Sequence, residues 1–229
     1  MTKIVLVDFC GTGIKPGELQ ACANALQAQI QTQFALPQPL GWGITAQVRA
    51  AKSAIDILPD EWVCGFWKTA DEPGALGYHD KTPAGKPIMK CFPLLDKEDG
   101  VPWQPTASHE ILETLLDAEL NLCFQAPDGT VWAGENSDAV EQDTYPVLGV
   151  PLSNWCTPLW YSGAQIGKFD WMGLCKSSFE IRPGGYGQTW DPEKGWQQIL
   201  NQEKKPRPYR LEHIGRGARR MAQTAKVIR

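Results

Sequence analysis

The sequence has no apolar run long enough to cross a bilayer, no two cysteines spaced CxxC and only three histidines. Each shortage narrows the chemistry. A transmembrane helix needs about 20 apolar residues, and the opening run IVLV at 4–7 is far shorter. The N-terminal stretch also lacks the long apolar region and small-residue cleavage site of a secretory signal, which predicts a cytoplasmic chain. The seven cysteines are odd in number and scattered singly. Cys10, Cys64, Cys91 and Cys123 stand in apolar surroundings, which predicts buried reduced thiols and argues against a thiolate zinc site. With His79, His109 and His213 as the complete set, no Ser/His/Asp triad can be assembled.

What is present points to a globular domain. Of the 229 residues, 42% are hydrophobic, enough for a core. Ten tryptophans and 18 prolines suit a loop-rich α+β domain better than a helical bundle. The net charge of −4 conceals an asymmetry: residues 201–229 hold nine Lys/Arg against two Asp/Glu, so the rest of the chain is strongly acidic.

KIVLVDF at 3–9 is rich in β-branched residues and predicts a buried first strand. A helix follows from Pro16 to about Phe34, with Leu19, Cys22, Ala23, Leu26, Ile30 and Phe34 on one face. Strands are expected at 43–51, 61–68 and 86–95, the last at a sheet edge because of its prolines. A helix beginning at Thr106 or Ser108 comes next, then a hairpin turning at Asp128-Gly129, then irregular structure to about Gly187. One mixed sheet is the expected frame.

The string TASHEILETLLD at 106–117 carries the chemistry. At 100° per residue, with His109 at zero, Glu113 lies near 40°, Asp117 near 80° and Glu110 near 100°, while Ile111, Leu112, Leu115 and Leu116 fill the arc from about 200° to 340°. Residues at i and i+4 can grip one metal ion, which is why zinc peptidases use HExxH with the first Glu as general base. Here the string is HExxE. The same amphipathic pattern also describes an ordinary surface helix. A second acidic group, Glu135, Asp138 and Glu141, follows the hairpin and could supply a third ligand. His79 in GYHD is a ligand, a transition-state donor or a structural hydrogen-bonder, and Tyr145, Tyr161 and Tyr186 are candidates for stabilising an oxyanion.

Taken together, GALGYHD (74–80), TASHEILETLLD (106–117), ENSDAVE (135–141), VPLSNWCTPLWY (150–161) and PGGY (183–186) resemble a family of bacterial and phage proteins related to the zincin metallopeptidases. The likeness covers roughly residues 70–190. It implies an α+β, zincin-like fold: a mixed sheet, a supporting helix, and an active-site helix beneath an edge strand. Carried over by position, it makes His109 and Glu113 metal ligands, Glu135 or Asp138 the third ligand, and Glu110 the catalytic base; His79 is a separate catalytic candidate read from GYHD alone. The implied activity is metal-dependent hydrolysis of peptides, in a virion if the gene is phage-borne. The cofactor is a divalent metal, zinc first. Glu113 departs from the usual histidine, and a centre of one His and two carboxylates leaves zinc formally neutral. Its bound water should ionise above the ~7 of catalytic zinc, and oxygen-rich ligation also admits Mn, Fe or Ca.

The tail lies outside this likeness. Leu211, Ile214, Ala218, Met221, Ala225 and Ile228 step by three and four, predicting an amphipathic docking helix flanked by Arg219 and Arg220. Gly215 and Gly217 each cost such a helix roughly 1 kcal/mol, so it needs a surface to rest on. The expected organisation is a domain at 1–198 and a basic linker with docking helix at 199–229. A non-catalytic assembly role, such as a virion component bound to another protein chain through Leu211, Ile214 and Met221, is the competing function. A net of +7 in the tail permits non-specific phosphate contact, but no nucleic-acid recognition motif accompanies it.

Overall fold

The computed structural model describes residues 1–9, 11–72, 75–201 and 226–228. Its first half is a five-stranded sheet made of β1 (Thr2–Asp8), β2 (Ala46–Ala50), β3 (Glu61–Phe66), β4 (Gly77–Lys81) and β5 (Pro87–Cys91). The spatial order is β2-β1-β3-β5-β4. All neighbours run parallel except β4, which is antiparallel to β5. The unalternating run in β1 is explained by burial on both faces. Ile4 and Leu6 enter the main core, whereas Val5 and Val7 pack in a smaller cluster with Ala51.

Helix α1 (Pro16–Gln29) starts with proline in its first turn, and Glu18 accepts the Lys15 N–H at 3.1 Å. It continues as a π-helical stretch, Ile30–Phe34, and its expected apolar stripe is buried. A short helix α2 (Pro93–Glu98) then leads into α3 (Gln104–Leu116). The α3 helix begins before Thr106 and Ser108, because Pro105 fits its first turn. Those two side chains are engaged elsewhere. Thr106 Oγ1 donates to Asp96, and Ser108 Oγ donates to the buried Gln29 of α1.

The second half is a separate sheet: β6 (Leu122–Gln125), β7 (Val131–Ala133), β10 (Tyr186–Asp191), β11 (Gly195–Leu200) and β12 (Lys226–Ile228), with the hairpin β8 (Thr144–Val147) and β9 (Val150–Ser153) beside it. Its order is β11-β10-β7-β6-β12. The hairpin about Asp128-Gly129 forms as expected, with Asp128 accepting the Thr130 N–H and Gly129 at φ 91°.

Several expectations meet a different arrangement. The strand expected at 86–95 ends at Cys91 and is not the edge: Pro87 opens it and Pro93 starts α2, so neither proline interrupts the ladder, and β4 takes the edge. Among the described residues there are two five-stranded sheets and a hairpin in place of one mixed sheet, because strands of three to six residues after 121 carry too little alternation to be read. At the C-terminus, Lys226–Ile228, the end of the expected helix, is a strand parallel to β6. Leu211, Ile214, Arg219, Arg220 and Met221 lie outside the described residues. The boundary expected at 198 falls inside β11.

Gln29 ties the layers together. Its Nε2 donates to the Ser153 carbonyl and the Tyr145 hydroxyl, each at 3.0 Å, and its Oε1 accepts from Ser108 on α3. Gln29→Leu leaves the Ser153 carbonyl and the Ser108 hydroxyl without these partners. It should lower unfolding stability by about 2 kcal/mol, seen as a lower urea midpoint with an unchanged slope.

Candidate metal centre

The charged face of α3 is not a solvated face. Every residue from Ala107 to Leu115 is buried, with Ile111, Leu112 and Leu115 in the core and His109, Glu110 and Glu113 on the other side. Burying an isolated charge costs several kcal/mol, so these groups demand partners. Those partners come from two other elements. The edge strand β4 brings His79, and the loop after β7 brings Glu135 and Asp138.

Glu113 sits at the middle, fully buried. Its Oε1 lies 3.2 Å from His109 Nε2 and accepts the Ser137 N–H at 3.2 Å. Its Oε2 faces His79 Nδ1 at 3.6 Å and accepts no hydrogen bond. His109 Nε2 is also 3.1 Å from Asp138 Oδ1. His79 Nδ1 stands 3.3 Å from Glu110 Oε2, while its Nε2 faces Glu135 Oε2 at 3.7 Å. The groups His109/Glu113/Asp138 and His79/Glu110/Glu113 each place three donor atoms within 4.8 Å of one another. Two donors on one tetrahedral cation, with bonds of about 2.0–2.2 Å, are about 3.3–3.6 Å apart. The contacts of 3.1–3.6 Å lie at or just below that spacing, so these residues can hold a divalent cation after small shifts.

The supports are local. Tyr161 Oη donates to the Glu135 carbonyl at 2.8 Å, and Cys156 N–H donates to the Asn136 carbonyl at 2.6 Å, pinning the ligand loop. Gly77, at the start of β4, passes so close to α3 that a Cβ there would meet Thr106 Cγ2 at 2.8 Å and Glu110 Oε1 at 3.1 Å. A cleft of about 170 Å³ opens above, lined by His109, Glu110, Gly77 and Thr106 from one side and Glu141 and Thr144 from the other.

The six residues expected at the site therefore come together. Asp138 meets His109, whereas Glu135 turns to His79. Glu141 stays at the cleft wall, and Asp117 accepts the Asn121 and Leu122 N–H groups to close the turn after α3. Tyr161 is committed to the loop and Tyr145 hydrogen-bonds with Gln29 and Gln33, so neither hydroxyl is aimed at the cluster. The six described cysteines are buried free thiols. Gln29 and Ser108, which back the helix, were not foreseeable as site supports: a glutamine on a helix gives no sign that it will be buried. No family model, no curated protein and no solved structure matches the chain.

Protons occupy this cluster at neutral pH. Burial opposes charge on His79, but the carboxylates of Glu135, Glu110 and Glu113 overcome it and push the imidazole up to about 9. His109 is likewise raised despite burial, through Glu113 and Asp138. Burial and the nearby Asp138 and Glu135 raise Glu113 to about 8, against the pull of His109. A cation must displace these protons, so its affinity should rise steeply from about pH 6 to about pH 9, with proton release in calorimetry; a flat profile would place the metal elsewhere. The metal-free fold shows the opposite trend. The His79 contribution is complete below its unfolded value of 6.5 and lost as pH rises through about 9. The Glu113 contribution is complete below 4.5 and lost through about 8. Metal-free Tm should therefore fall across that window, and metal should restore it.

Proposed function

We propose that the protein is a metal-dependent hydrolase of peptide-like substrates, its cation held by His109, Glu113 and Asp138. One observation carries the reading: a buried imidazole and two carboxylates at metal-ligand spacing, with His109 also lining an open cleft. A divalent cation held there would supply Lewis acidity toward a substrate carbonyl and an activated water. Glu110, beside His109 on the same cleft, takes up the proton as general base. The parallel sheet with one antiparallel edge strand over α3 supports the zincin-like reading, and the outer edge of β4 can pair with an extended peptide. At about 170 Å³ the cleft is below the 300–1,000 Å³ of typical small-molecule pockets, which suits a chain lying across it.

A second reading rests on charge. The basic segment at 201–229 beside an acidic body supports docking onto another chain, with the metal serving only to hold the fold. A screen of fluorogenic peptides with metal-loaded protein separates the two. The hydrolase should cleave some members, Glu110→Gln should cut kcat/KM by about 10²–10⁴-fold, and His109→Ala should lose both metal and activity. Metal retained with no cleavage of any member would favour the assembly role.

A further inference from the structure

We propose that the cluster is built for two cations bridged by Glu113, one on His109 and Asp138, the other on His79 and Glu110. The proposal rests on the metal-dependent reading above but changes the role of Glu110 in it from base to ligand. The two oxygens of Glu113 face different ligand sets, Oε1 toward His109 and Oε2 toward His79. A carboxylate presented in this way spans two ions, which in dinuclear sites stand about 3.5–4 Å apart. A neutral imidazole at 113 offers one nitrogen to a metal, so it would not join two ions as a carboxylate does. The glutamate that weakens a single-zinc site is the residue a two-metal site requires.

Two further observations agree. Glu113 Oε2 and His79 Nε2 are buried and make no hydrogen bond, although the first faces the His79 ring and the second faces Glu135. Glu113 Oε2 is aimed at the place the second ion would fill. His79 would bind that ion through Nδ1, leaving Nε2 toward Glu135, the arrangement in which a carboxylate orients a ligating imidazole. Charge points the same way. Glu110, Glu113, Glu135 and Asp138 are all buried. When ionised beside neutral imidazoles they leave a net of about −2 around one divalent ion and about zero around two, and buried net charge is costly. In the two-cation state Glu110 is a ligand and no longer a base. Oxygen-rich ligation favours Mn²⁺ as a probe.

The test is metal content and spectroscopy on the full chain, stripped with chelator, loaded with Mn²⁺ and desalted. Two Mn²⁺ per chain with an exchange-coupled electron paramagnetic resonance spectrum is the expected result. It needs no variant, so a folding defect cannot obscure it. His79→Ala and Glu113→His should each hold one ion with an uncoupled six-line spectrum. One ion per wild-type chain, unchanged by His79→Ala, would overturn the second position and leave the single-metal hydrolase standing, as would two ions without coupling. No bound metal would overturn both.

Discussion

Charge buried beneath α3 is the constraint to which the surrounding structure answers. Glu113 has no access to solvent, and His79, Glu110 and Asp138 have almost none. Each must find its counter-charge within the protein, since water is not there to supply it. The arrangement that results needs three separate stretches of chain held in register. The edge strand β4 lies over the helix, the loop after β7 closes from the side, and α1 backs it through Gln29 and Ser108. Tyr161 and the Ser137 N–H are spent on keeping that loop in place.

The substitution of a carboxylate for the second histidine of an HExxH-type string acquires a different meaning in three dimensions. In one dimension it reads as a loss of charge on a zinc centre. In the fold, Glu113 is the junction between both imidazoles, and its two oxygens are not equivalent. Its environment is also what holds a proton on it near neutrality, since burial and neighbouring carboxylates outweigh His109. Any cation bound at these atoms would have to displace protons from them.

Much of this was readable from residues, and the failures have physical causes. The β-branched run in β1, the stripe of α1, the Asp128-Gly129 turn and the shared face of His109, Glu110 and Glu113 all follow from local period and turn chemistry. What could not be read was pairing at long range. Prolines at 87 and 93 suggested an edge, but they flank β5, and the edge falls to β4. The short strands after 121 draw their stability from neighbours distant in sequence. Glu135 and Asp138 are three residues apart and equally acidic, so only the turn of their loop separates the partner of His79 from the partner of His109.

The order of these residues along the chain has a consequence for how the molecule is made. The first sheet is complete in sequence at Cys91 and can close early during vectorial synthesis. The α3 helix follows, and the trio of His79, Glu110 and Glu113 is already encoded before Asp138 has been translated. The covers over α3 follow the helix in sequence: the ligand loop brings Asp138 itself, and β9 comes after it. A nascent chain therefore passes through a stage in which the helix carboxylates are wet and one trio is present without the other.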